Sequence, residues 1–498
     1  MTAEKVAKMD SSMNRILVVS LGLSVLACGA DDVGDGGMDE VASTTDETET
    51  GTGTETSSDT GTTTETSTDT DTGTETDTTG STDGPMPDMG TMPLDPNENI
   101  PPPDEEGCPA IYAQDLLPTF QLTIQPVVWD MLMWEWNNGE SQDDMGLDPT
   151  PYHPLQEFRY DNGDEDPSND IVIYDAEIRL RGNPINWDPL PGDKMQFQID
   201  FNNIDPQGHF WGLKRLVFDA ATFNRHMLRD RLALAVMRDA GIKAPCANNA
   251  RLEINGEYYG LFTSIEKLDS EFLERNYEQP DGDLWKRANW EAKTNEETAT
   301  KAHLDMLRFA DTLQEVDANL DLMQALPVFA ADAIIPNSDG PWAGGLNYYL
   351  YDNPETGKFE LLPWDLDNTF ERFDDPPDGI YPVNPDPVVF EKPNTWGRPW
   401  YDMALEDPEW FYYYIDSIDF ILHEAYTVEE MHGRIDDYFA QTQEAALADP
   451  NKPYPNSTYL NKVQDLYDYV EQRYAWVDEW LLCWQMGGTP DAEGYCVP

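Results

Sequence analysis

The chain has 498 residues, with 96 Asp and Glu against 30 Lys and Arg, a formal net charge of −66. That balance excludes nucleic acid as a partner, because no basic stripe is available to neutralise phosphates, and it disfavours an anionic membrane surface. Apolar residues make up 39% of the chain, with 15 Trp and 23 Tyr, so most of it can bury a substantial core.

The first thirty residues read as an address. Lys5, Lys8 and Arg15 precede the apolar run Ile16–Ala27, which has the length of a signal-peptide core and is too short to span a membrane. The run ends Val25-Leu26-Ala27-Cys28-Gly29, which looks like a bacterial lipobox with Cys28 as the lipidated residue. An ordinary secretory signal with a chance cysteine is the competing reading. Met13 offers an alternative start, with Asn14-Arg15 as a compact basic region. Residues 1–28 are thus expected to be a lipoprotein signal peptide, placing the mature protein outside the cytoplasm on a lipid tether. In a two-membrane cell, Gly29 favours the outer membrane.

Residues 29–104 read as a disordered linker. Residues 31–100 hold 19 acids and no Lys or Arg, and Thr44–Thr79 is almost wholly Thr, Ser, Asp, Glu and Gly. Such a segment buries too little apolar area to offset chain entropy, and its like charges extend it. Pro101-Pro102-Pro103 stiffens its end. From 105 to 498 no linker-like stretch intervenes, which predicts one large folded domain. Cys108, Cys246, Cys483 and Cys496 form an even set in an oxidising compartment, so two disulfides are expected, with three connectivities open. The six His show no HExxH-type pair, and no Gly-x-Ser-x-Gly elbow occurs.

In chain order, Ile171–Arg181 is β-rich and is broken by Gly182-Asn183-Pro184. A Pro-rich loop leads to Lys194–Phe201, which alternates as a strand does. Arg225–Ala240 has helical spacing and stops at Gly241. Arg251–Ile254, Asn255-Gly256 and Tyr258–Ile265 predict a hairpin with a type I′ turn. Helices are expected near 269–276 and 302–326, then a Gly-rich loop over 337–346 and a strand Asn347–Tyr351. The turn at Asp352-Asn353-Pro354 precedes a strand Lys358–Leu362, and Pro363-Trp364-Asp365-Leu366-Asp367 follows. The remainder is helical, ending in an amphipathic stretch Val463–Trp484.

Strand, loop, strand, helix, hairpin, helices, loop, two strands and an acidic motif is the order of parts in a protein kinase. The usual Gly-x-Gly-x-x-Gly and His-Arg-Asp signatures are absent. Four blocks over about 170–375 resemble the CotH kinases, atypical kinases first associated with spore coats. These are Arg181-Gly182-Asn183 leading to Lys194; Ala240-Gly241-Ile242 through Asn255-Gly256-Glu257-Tyr258-Tyr259-Gly260 to Glu266-Lys267; Asn337-Ser338-Asp339-Gly340 to Asn347-Tyr348-Tyr349-Leu350-Tyr351; and Pro363-Trp364-Asp365-Leu366-Asp367. Two stretches depart from the family pattern: the Asn183–Lys194 loop is longer and proline-rich, and Gly344, Gly345 and Leu346 replace polar residues.

The resemblance implies an α+β, two-lobed atypical kinase fold with ATP and Mg²⁺ (or Mn²⁺) as cofactors. Lys194 is the implied phosphate ligand, with Arg181 and Asn183 in the phosphate loop and Glu266 at the adenine hinge; a surface Glu266–Lys267 pair is the plain alternative. Asp230 is a candidate helix partner for the lysine. Asp365 is the implied metal ligand, joined by Asp367 and Asn347, and two carboxylates two residues apart share a face if the strand runs on. Asp339, in a glycine-flanked loop, is the implied general base. The expected function is transfer of phosphate from ATP to Ser or Thr of an exported protein, the chain's own Thr-rich linker being one possible acceptor. A catalytically silent surface-binding module on the same scaffold is the alternative.

Overall fold

The computed structural model describes residues 100–498, apart from 105–106, 162–169, 182–193, 223, 338, 371–386, 388–398 and 492–494. Cys28, linker residues 29–99 and Asn183 lie outside the described residues. The fold is α+β.

In chain order, β1 (Thr119–Thr123) leads into α1 (Pro126–Trp136) and α2 (Gly139–Asp144). Six short strands follow: β2 (His153–Leu155), β3 (Glu157–Asp161), β4 (Ile171–Ile173), β5 (Ala176–Arg181), β6 (Gln196–Asp200) and β7 (Arg215–Asp219). Helix α3 (Arg229–Asp239) separates these from the hairpin β8 (Ala247–Ile254) and β9 (Glu257–Ile265). Then come α4 (Ser270–Asn276), β10 (Leu284–Lys286), β11 (Glu291–Ala292), α5 (Lys301–Arg308), α6 (Leu313–Asn319) and α7 (Leu322–Ile334). The hairpin β12 (Tyr348–Asn353) and β13 (Lys358–Pro363) precedes α8 (Pro399–Leu405), α9 (Pro408–Phe420), α10 (Val428–Ala448) and α11 (Asn456–Gln485), and β14 (Thr489–Pro490) pairs with β15 (Cys496–Val497).

Strands β1–β9 form one sheet in the order β2-β5-β6-β7-β9-β8-β1-β3-β4, and β10–β13 a second in the order β11-β10-β12-β13. Only β1 and β8 run parallel among the described pairs of the large sheet. The buried apolar residues of the described chain fall into two clusters. One packs the large sheet under α1, through Phe120, Leu132, Phe158, Phe197 and Leu252. The other gathers α3, α7, α9, α10 and α11 about the smaller sheet, through Leu232, Phe329, Leu350, Ile418 and Leu466.

The expected hairpin is present, and its turn residues Asn255 and Gly256 both take positive φ, 53° and 80°, as a type I′ turn requires. Other expectations are refined. The run 171–181 is two strands, because the chain turns at Tyr174-Asp175. The helical stretch 302–326 is three helices, because side-chain caps restart the chain twice. Thr312 Oγ1 accepts from the Glu315 amide while Glu315 reaches back to the Asp311 amide, and the Asp321 carboxylate accepts from the Met323 and Gln324 amides. The disulfides are Cys108–Cys246 and Cys483–Cys496. Among the described residues no helix is long and apolar enough to cross a membrane.

Candidate functional site

Three elements converge where β9 ends. Arg181 closes β5, Asp230 lies in the first turn of α3, and Trp364-Asp365 leave β13. A small cavity between them is lined by Arg181, Asp230 and Asp365 on its polar side and by Leu234, Pro245, Ile265 and Trp364 on its apolar side. An apolar wall beside converging charged groups is the usual form of a small-molecule site.

Arg181 donates from Nη1 to Asp219 Oδ2 at 2.5 Å and to Gln196 Oε1 at 2.9 Å, so its guanidinium is held at the cavity wall by the neighbouring strands. Asp219 is kept in place by the Ala221 amide, 2.7 Å from Oδ1. Asp230 is buried, and its Oδ2 has no hydrogen-bond partner. Burial, then the charges of Asp219 and Asp365, push its carboxyl well above the ordinary range, against the opposing pull of Arg181 and Arg229.

The acidic motif does not continue β13. The strand ends at Pro363, and Asp365 has φ +57°, so the backbone turns sharply there. Asp365 and Asp367 are both half-buried on either side of a buried Leu366. Arg229 Nη1 donates to the Asp367 carbonyl at 2.8 Å, and the Phe370 amide donates to the Ile335 carbonyl at 3.3 Å. The motif is thereby tied to α3 on one side and to the end of α7 on the other.

Asn347, just before β12, also has a positive φ, +50°. Its carbonyl accepts from the Trp364 amide at 3.3 Å, which sets it beside the acidic motif. Its Nδ2 donates to Asp339 Oδ2 at 3.1 Å, while its buried Oδ1 has no partner. Two of the three expected metal ligands, Asn347 and Asp365, are thus in the left-handed region, which sharply turns the backbone at both. An orphaned amide oxygen near a carboxylate is a donor set that fits a small hard cation. No group of three His, Cys, Asp or Glu side chains able to hold a metal occurs among the described residues.

Lys194 feels the Asp219 charge that pairs with Arg181, but its own hydrogen bonds go elsewhere. Its side chain has no exposed surface; Nζ donates to Asp449 Oδ2 at 2.9 Å and to the Leu261 carbonyl at 2.6 Å, above the Phe262 ring. Burial lowers its pKa, opposed first by Asp449. Glu266 is likewise engaged: it pairs with Arg275 at 2.5 Å and accepts from the Cys246 amide at 2.9 Å. Its buried carboxylate therefore fastens β9 to the disulfide end of β8 and to α4.

The structure thus assembles Arg181, Asp230, Asp365, Asp367, Asn347 and Asp339 along one seam, and leaves Lys194 and Glu266 in buried ion pairs. Sequence reasoning missed Asp219 and Asp449. A strand-terminal acid in Leu216–Asp219 was the signal for the first. For the second the signal lay in Gly260, whose added Cβ would stand 2.8 Å from Asp449 Oδ2.

A family model described as CotH kinase protein matches residues 178–477. The chain belongs to the CotH kinase family. It is 24% identical over 366 residues to inner spore coat protein H of Bacillus subtilis (strain 168), covering 66% of this chain and 95% of the relative. Among solved structures it is similar to the HipA–HipB toxin–antitoxin complex with operator DNA from Shewanella oneidensis MR-1. That likeness has 10% identity, a TM-score of 0.27, and coverage of 66% of this chain and just under two thirds, 65%, of the other.

Proposed function

We propose that residues 105–498 form a two-lobed, CotH-type kinase that transfers phosphate from ATP to Ser or Thr of an exported protein. The observation that carries this reading is the seam itself. Asp365 lines a cavity that also holds a fixed guanidinium and an apolar wall, and Asn347, bonded through its carbonyl to the neighbouring Trp364 amide, stands next to it; both residues have positive φ. Phosphoryl transfer asks the protein chiefly for positioning and charge neutralisation.

Asp365 and Asn347 Oδ1 would hold Mg²⁺ or Mn²⁺, with Asp367 as a further oxygen donor and phosphate and water completing the shell. When bound, that cation neutralises charge on the phosphates. Arg181 supports the nucleotide phosphates from β5, because among the described residues it is the cation that lines the cavity. Lys194 is buried against Asp449. Asp339 accepts the proton of the acceptor hydroxyl as its oxygen bonds to the γ-phosphorus and the bond to the ADP oxygen breaks. Asn347 Nδ2 orients Asp339 for that task.

The lipobox-like Cys28 and the acidic linker support delivery outside the cytoplasm on a lipid anchor, with the Thr-rich linker at high effective concentration as an acceptor. Nucleotide binding to residues 105–498 with and without Mg²⁺, followed by transfer to a protein acceptor, tests the kinase reading. Binding without transfer under any divalent cation would favour the inactive binding module. Membrane fractionation of wild type and Cys28→Ser tests the anchor, and a soluble wild type with an unmodified N-terminal segment would overturn it.

A further inference from the structure

We infer that Asp332 is a positioning residue, whose buried carboxylate fixes the turn that carries Asp339. The inference rests on the kinase reading for the role of Asp339 but not for the geometry. Asp332 lies near the end of α7, in a helix whose other buried residues are all apolar, and it has no exposed surface. A carboxylate in such a place is costly unless each oxygen is satisfied. Both are used, and by donors from opposite sides of Asp339. Oδ1 accepts from Asn337 Nδ2 at 3.1 Å, and Oδ2 accepts from the Trp342 amide at 3.2 Å. The Asp332 carbonyl takes the Asn337 amide as well, at 3.0 Å.

The turn is drawn tightly onto this carboxylate. A Cβ added at Gly340 would fall 2.1 Å from Asp332 Oδ2 and 2.3 Å from Asn337 Nδ2, so the residue after Asp339 must be glycine for the contact to exist. Gly340 in turn accepts from the Gly344 and Gly345 amides, both at 2.9 Å, and Trp342 and Ala343 are buried. The departure from the family pattern at 344–346 therefore serves a compact turn: a Cβ at Gly344 would press the Asp339 backbone at 3.1 Å. Asp339 leaves this clamp with Oδ2 against Asn347 Nδ2. The groups acting on Asp332 are neutral, the Asn337 amide and the Trp342 peptide. The cation that α11 sends to this end of α7, Arg473, is engaged by the Ala333 and Ile334 carbonyls.

The experiment compares wild type, Asp332→Ala and Asp332→Asn in the full chain, reading amide hydrogen exchange over 337–346, affinity for Mn²⁺-ATP, and kcat and KM for transfer. Alanine should speed exchange at Trp342, Gly344 and Gly345 while α7 stays protected. It should lower kcat by about 10²-fold, the scale of a small misplacement of a catalytic group, with KM for ATP nearly unchanged. Asparagine should restore most of kcat, since its oxygen can accept from Trp342 and its amide can donate to Asn337 Oδ1, which is buried without a partner. An alanine variant with wild-type kcat overturns the inference, as do kcat and affinity falling together with global loss of protection. A wild type that never transfers phosphate overturns the kinase reading instead. Exchange at Trp342 then decides on Asp332 alone, unchanged protection overturning it.

Discussion

Asp449, in the loop between α10 and α11, accepts a hydrogen bond from Lys194, two residues before β6 and 255 residues earlier. The same carboxylate takes the Leu261 amide at 3.0 Å and the Asn451 amide at 2.9 Å. One side chain therefore ties the helical C-terminal part of the chain to the large sheet, through a pair with no exposed side-chain surface on either partner.

Breaking such a pair from one side leaves a buried charge uncompensated, which costs about 3–5 kcal/mol. Asp449→Ala should destabilise the fold by that amount in equilibrium denaturation. Lys194→Met should cost less, because the Met chain can pack against Phe262 and the carboxylate keeps its two amide donors. A double variant no worse than Asp449→Ala alone would measure the coupling.

Arg181 and Lys194 should separate in their effects. Arg181→Met is expected to weaken nucleotide affinity by about tenfold or more, the cost of losing a charge-assisted contact, and to lower stability as well, because buried Asp219 loses its cation. Lys194→Met is expected to act on stability first. Titration calorimetry beside thermal denaturation distinguishes them, and equal loss of affinity in both variants would return Lys194 to the phosphates.

Asp365→Ala should abolish metal-dependent nucleotide binding, because no neutral neighbour replaces an anionic oxygen ligand. Asp339→Asn should keep binding and lower transfer by about 10²-fold or more, the scale of general-base loss. The two together separate metal holding from proton acceptance.

The Asp332 carboxyl is pushed up by burial to about 7 from an ordinary value of 3.8. A carboxyl whose folded value is raised stabilises the protein fully below the unfolded value and loses that contribution as pH rises through the folded one. Stability should therefore decline between about pH 4 and pH 7 by an amount bounded at roughly 4 kcal/mol for this group. Asp332→Asn should flatten that part of the denaturation profile.

The disulfide Cys108–Cys246 closes a span of 138 residues and sits where Glu266 pins the ends of β8 and β9. Replacing both cysteines by Ala should cost about 2–5 kcal/mol, read as a lowered denaturation midpoint. Nucleotide affinity should fall in parallel only if the Glu266 corner also supports the cavity.

The sequence by itself determined the local and the periodic. Asn255-Gly256 dictated its hairpin because only a primed turn matches strand twist, and Asp365, Asn347 and Asp339 stood out as candidates because their flanking motifs are short and contiguous. The apolar spacing of 463–484 likewise foretold α11, which runs longer, over Asn456–Gln485. Tertiary structure decided which charges pair. Lys194 heads an alternating strand, and nothing near it announces that Asp449 will remove it from solvent. Arg181 could be assigned to the cavity only once β5, β7 and α3 had brought Asp219 and Asp230 beside it. The β7 strand, five residues without strong turn signals, and the division of 302–326 by two side-chain caps also depended on neighbours. Burial and ion pairing depend on chain segments far apart in sequence, and a local pattern carries no information about which distant carboxylate will meet a given cation.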